Sequence, residues 1–148
     1  MAGATSLMYN LRVGGARLID LCLSRSTVAE TVTGEITNWA DLRIRADNPG
    51  LSLPDLQMTP VMRADSSGST AQFTPWVSAE HAEQWNAFCV SLRRASSCGP
   101  TSKHPLFGNA KALSGSLGVS GYIAQVYGVG SITCVENSYA LRLGLPVA

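Results

Sequence analysis

The stretch Arg63-Ala64-Asp65-Ser66-Ser67-Gly68-Ser69-Thr70 packs most of the chemistry this sequence carries into eight residues. An apolar run, Gln57 to Arg63, reads as a strand, and a helix is expected to open at about Ser69, so a short polar loop sits between them. The first turn of a helix exposes unpaired amides and a partial positive charge, which suits an anion. Gly68 has no Cβ and lets the backbone come close to a ligand. The hydroxyls of Ser67 and Ser69 can donate to the same point, and Arg63 offers a planar fork matched to an oxyanion.

Asp65 is the discordant member, since a carboxylate repels an anion unless that anion brings a proton to share. Monohydrogen phosphate does so and sulfate at neutral pH does not, so an aspartate here selects between them. An unpaired buried polar group costs about 1–3 kcal/mol, enough for strong discrimination. A second account stays open on these residues alone: Ser, Asp and Gly are ordinary turn and cap residues, and Asp65 or Ser67 could simply cap the helix.

Other chemistry is sparse. There is no G-x-x-x-x-G-K-[ST] phosphate loop, no G-x-S-x-G elbow and no Ser/His/Asp set with any specificity, so an enzyme is not expected. His81 and His104 share no metal-ligand spacing with the cysteines, and neither a metal nor a cofactor is implied. His81 reads as a surface residue at a helix start, His104 as a loop residue, and Glu136 as a surface carboxylate ending a strand, with a functional carboxylate as its second reading. Trp39, Trp76 and Trp85 read as core, and Tyr9 and Tyr139 as packed. Cys89 and Cys98 flank a short loop that a disulfide could close, whereas Cys22 and Cys134 read as either a pair or buried free thiols.

Short elements must position the grip. Strands are expected at Ser6–Leu11, Leu18–Leu23, Gln57–Arg63 and Ser131–Glu136, with Pro60 marking an edge or bulge. Thr27-Val28-Ala29-Glu30 fits a capping box whose helix Gly34 stops. Helices follow at Asn38 to about Asp47, before Asn48-Pro49-Gly50, at Ser69–Ala79 with Phe73, Trp76 and Val77 on one face, at His81–Ser91, and at Gly118–Tyr127. Ser91–Ser116 looks least ordered. Alternating strands and helices make the class α/β.

The chain is 148 residues long, 45% hydrophobic and 14% charged, which suits one domain with a real core and excludes disorder. The formal net charge is +1, with no basic run longer than Arg93-Arg94, which disfavours nucleic acid as a partner. No apolar run approaches the roughly 20 residues of a membrane helix. Met1-Ala2-Gly3-Ala4 lacks the marks of a secretory signal and reads as a start placed on a lobe cut from a longer exported protein.

Several ordered segments resemble one family: Val32-Thr-Gly-Glu-Ile-Thr-Asn-Trp39, Asn48-Pro-Gly-Leu-Ser-Leu-Pro54, Val61-Met-Arg-Ala-Asp-Ser-Ser-Gly-Ser-Thr70, Phe73-Thr74, and Gly130-Ser-Ile-Thr-Cys-Val-Glu-Asn-Ser-Tyr-Ala140. They are similar to the substrate-binding proteins of bacterial phosphate ABC transporters, from about Leu7 to Leu145. The resemblance implies a type II periplasmic-binding-protein fold, of which residues 1–148 form one lobe, the inserted second one. It implies inorganic phosphate, or a similar tetrahedral oxyanion, as ligand. Arg63 would pair with the anion, Asp65 would accept its proton, and Ser67, Gly68 and Ser69 would donate. A second lobe and an ABC permease would be the partners, and the setting extracytoplasmic. Ser66 replaces the family's usual glycine, Ser69 its usual threonine, and 95–109 has no clear counterpart. The alternative implied by these departures is an interaction or sensor module in an exported or membrane-tethered protein that no longer transports.

Overall fold

In the computed structural model, which describes residues 4–92 and 99–148, four strands form one mixed sheet. These are β1 (Thr5–Tyr9), β4 (Thr59–Arg63), β5 (Lys111–Leu113) and β6 (Ser131–Glu136), in the order β1-β6-β4-β5. β4 runs parallel to both its neighbours, and β1 runs antiparallel to β6. A small hairpin, β2 (Arg12–Val13) and β3 (Ala16–Arg17), turns at Gly14-Gly15, where both residues have positive φ. The helices are α1 (Arg25–Val32), α2 (Leu42–Asp47), α3 (Gly68–Glu80), α4 (Ala82–Ser91), α5 (Gly115–Ala124) and α6 (Asn137–Leu143). None is long and apolar enough to cross a membrane. The α/β expectation, a mixed sheet flanked by helices, holds.

Strand alternation assigns the two faces. Met8, Val61 and Val135 pack with Val119 and Ile123 of α5 and Ala140 of α6. One residue along in register, Leu7 and Cys134 turn to the other face and meet Phe73 of α3. A separate cluster of Val77, Trp85 and Phe88 ties α1, α3 and α4 together. Beyond the other end of the strands, Tyr9, Trp39, Ile44, Met58 and Ile132 form the third part of the core, with the Trp39 indole donating to Gly130 O at 2.8 Å.

Several local expectations are corrected. Leu18–Leu23 is not a strand: its backbone is held by side chains instead of a ladder. Leu21 N donates to the Tyr9 hydroxyl, Asn48 clamps both N and O of Cys22, and Ser24 N donates to Asp47. Cys22 is consequently exposed, and Cys22 and Cys134 are both free thiols rather than a pair. The expected Cys89–Cys98 link involves Cys98, which lies outside the described residues. The α1 cap is Ser24 rather than Thr27, its Oγ accepting from Thr27 N, while Gly34 does follow with φ +78°.

Pro60 sits in a strand that is interior in the sheet order, but at its own position only the β6 side is paired, so the edge expectation holds locally. Thr59 N donates to Gly130 O beside β6, so by alternation the Pro60 nitrogen faces the other side. There β5 pairing begins only at Val61, so no ladder bond is lost. β5 and α6 were not anticipated, and the helix expected at Gly118–Tyr127 runs from Gly115 to Ala124. His104 is buried among Trp85, Phe88 and Phe107 rather than lying on a surface loop.

Candidate functional site

Because β5, β4 and β6 are parallel, they all end at one edge, at Leu113, Arg63 and Glu136. Each is followed by a helix, α6 directly, α5 after Ser114 and α3 after the loop Ala64–Ser67, so three helices begin at this edge. Ligands of open α/β sheets favour this carboxyl edge. Arg63 is the last residue of β4 and points inward, its side chain only 13% exposed.

Its guanidinium is almost fully committed. Nε and Nη2 donate to Oδ1 and Oδ2 of Asp65 at 2.7 and 2.6 Å, and Nη1 donates to Ser67 Oγ at 3.3 Å and Ser116 Oγ at 3.0 Å. Arginine has five N–H donors, so one Nη2 proton remains. Asp65 Oδ1 also accepts the Gly115 amide at 3.1 Å. A carboxylate offers about four acceptor positions, and the remaining one is on Oδ2. A spare donor and a spare acceptor thus lie next to one another.

Ser67 caps α3, its Oγ accepting from Thr70 N at 3.4 Å, which leaves its own proton free to donate. The first main-chain bond of the helix is Ala71 N to Ser67 O, so the amides of Gly68 and Ser69 lead out of its end. A Cβ added to Gly68 would meet no protein atom within 4 Å, so the space in front of the helix is unfilled by the chain itself. Ser69 is buried, and its Oγ makes no well-formed hydrogen bond, although its hydroxyl interacts with the Glu136 carboxylate. The five expected residues therefore lie together, and Ser67 caps the helix while keeping a hydroxyl proton free.

Charge is distributed unevenly. The Arg63 hydrogen bonds, and then the Gly115 amide, hold the Asp65 carboxyl well below the usual carboxylate range. Burial acts to raise Glu136, but its own amide, the Ser116 and Ser69 hydroxyls and the Arg63 charge together hold it below that range. Arg63, paired chiefly with Asp65, is raised.

Gly115 and Ser116 escape the sequence reading as members of this site, and Glu136 enters it only as the second reading of a strand-end carboxylate. Glu136 is not a free surface group: its Oε2 accepts from Ser116 Oγ at 2.9 Å. The available signal was a second serine in the first turn of a helix after a short apolar run, Lys111-Ala112-Leu113. A mainly apolar crevice lined by Val28, Val32, Val61 and Phe73, with Thr31, Thr70, Thr133 and His104 among its walls, reaches Arg63.

The sequence profile of the PBP superfamily domain matches residues 1–148. Among curated proteins, the chain is 34% identical over 122 residues to the phosphate-binding protein PstS of Xylella fastidiosa, covering 82% of this chain and 30% of the relative. It is 32% identical over 154 residues to the PstS of Methanocaldococcus jannaschii, covering 100% and 36%. The chain thus spans about a third of the length of these relatives. Among solved structures, it is similar to a high affinity periplasmic phosphate-binding protein bound with phosphate, with TM-score 0.62 and 22% identity over 93% of this chain and 32% of that one. It is likewise similar to the ancestral soluble variant of the human phosphate binding protein, with TM-score 0.64, 20% identity, and coverage of 93% and 33%.

Proposed function

Since the chain belongs to the PBP superfamily domain family, we propose that it is a binding lobe for inorganic phosphate, gripped by Arg63, Asp65, Ser67, Gly68 and Ser69. It binds and releases its ligand without making or breaking a bond. The observation that carries this reading is the adjacent spare pair, the Nη2 proton of Arg63 and the Oδ2 lone pair of Asp65, at the mouth of α3. Together they complement one unprotonated and one protonated oxygen of the same anion. The Gly68 and Ser69 amides and the Ser67 and Ser69 hydroxyls serve the remaining oxygens.

The lobe works against a second one. The N-terminal end of β1 lies opposite Glu136, and Ala148 N donates to Leu7 O at 3.0 Å, so the described ends of the chain emerge next to each other at the site's own edge. A companion lobe joined there would close over the grip. Residues 1–148 are in this reading one lobe of a two-lobed, extracytoplasmic binding protein that delivers phosphate to an ABC permease. The likeness to proteins named for phosphate binding supports the ligand in this reading.

Alone, the half-site faces water, where charge-assisted bonds are weak, and a dissociation constant of about 1 mM follows, or about −4 kcal/mol. Calorimetric titration tests the assignment. Phosphate is expected to bind at least roughly tenfold more tightly than sulfate. Arg63→Ala should abolish binding, and Asp65→Asn should erase the preference between the anions. Equal affinity for both anions in the unaltered chain, with indifference to both substitutions, would remove the site.

A further inference from the structure

Arg63 is held from two sides, and only one of them belongs to its own loop. Asp65 grips Nε and Nη2, but Nη1 reaches across to Ser116 in the first turn of α5. The Ser116 hydroxyl has a single proton. Arginine can only donate and an ionised carboxylate can only accept, so that proton must go to Glu136 Oε2 while a lone pair receives Nη1. The polarity of the bridge is thus fixed by its neighbours. Next door, the Gly115 amide restrains Asp65 from the same helix end. Arg63 closes β4, Ser116 follows β5 and Glu136 closes β6, so a three-residue chain ties the ends of all three parallel strands together.

From this geometry we infer that Ser116, fixed by Glu136, is a positioning residue for the anion site: it locks the Arg63 guanidinium so that its one uncommitted Nη2 proton faces the mouth of α3. Neither residue touches the anion. The inference rests on the phosphate-binding reading for its functional consequence, but the lock itself is a property of the unliganded chain. A long arginine side chain loses much rotamer freedom when ordered, and a preformed lock spares the ligand that cost.

The test uses the 148-residue chain, inorganic phosphate as the probe, and Ser116→Ala, Ser116→Thr and Arg63→Ala variants. Calorimetry should show phosphate binding weakened about tenfold by Ser116→Ala, the low end of what one hydrogen bond to a charged group contributes, and restored within about twofold by Ser116→Thr. Nitrogen-proton NMR without ligand should show slowed Arg63 Nη1 rotation in the unaltered chain and averaged Nη1 signals in Ser116→Ala, with the amide spectrum otherwise preserved. Unchanged phosphate affinity in Ser116→Ala, while Arg63→Ala abolishes binding, overturns the inference and leaves the phosphate reading standing. If no chain binds phosphate, the phosphate reading fails, and the Nη1 signals still decide the lock: averaging in the unaltered chain overturns it, and slowing lost only in Ser116→Ala upholds it.

Discussion

Two titratable groups on β6, Cys134 and Glu136, lie two residues apart and shift by different physics. Cys134 lies beside Leu7 and Phe73, deep among protein atoms although part of the residue remains accessible. Desolvation, and then the Glu136 charge, push its thiol up to about 12. Glu136, at the strand's end, also pays desolvation but meets an amide, two hydroxyls and a guanidinium, and stays ionised. The thiol should therefore cost stability at alkaline pH. Between its unfolded value near 9 and its folded value of about 12, the unfolded chain loses a proton that the folded chain keeps, so stability is full below about 9 and drains above it. The slope is at most about 1.4 kcal/mol per pH unit. Urea unfolding at pH 8 and pH 10 should show a smaller loss for Cys134→Ala than for the unaltered chain. Parallel losses in both chains would show that the thiol is not the source.

At the scale of elements, the segment between β3 and α1 shows what replaces a ladder when no strand is available to pair. Asn48 accepts from Cys22 N at 2.8 Å and donates to Cys22 O at 2.7 Å and Ile44 O at 2.8 Å, and it is almost fully buried. One side chain therefore closes α2 and holds the preceding coil. Asn48→Ala should cost about 1–3 kcal/mol in chemical denaturation and speed hydrogen exchange at the Cys22 amide. A change within experimental error at both readouts would mean that water replaces the asparagine without penalty. The same segment explains the misread strand: Leu18-Ile-Asp-Leu-Cys-Leu23 has the apolar content of one, but pattern reports only burial preference, and the partner that satisfies its backbone lies 26 residues away in Asn48.

For the molecule as a whole, the grip stands at an edge where three helices begin and where both described chain ends emerge. An anion there would be held by charge in contact with solvent, so salt should screen it strongly. Raising the salt from about 0.05 to 0.5 M sodium chloride is expected to weaken phosphate binding several-fold in titrations of this chain. Binding insensitive to salt would mean that the ligand is enclosed, which is at odds with an open half-site. The sequence by itself determined the strand-loop-helix junction at Arg63–Ser69, the cap at Ser67, the β6 strand and the aromatic core, because each depends on neighbours along the chain or on burial period. Only the tertiary structure decided that Ser116 and Glu136 join Arg63, that Pro60 is tolerated inside a sheet, and that Cys22 stays outside. The first two follow from strand order and from where β5 starts, and the third from the Asn48 clamp; they bring together residues 20 to 53 positions apart, and no local pattern encodes that proximity.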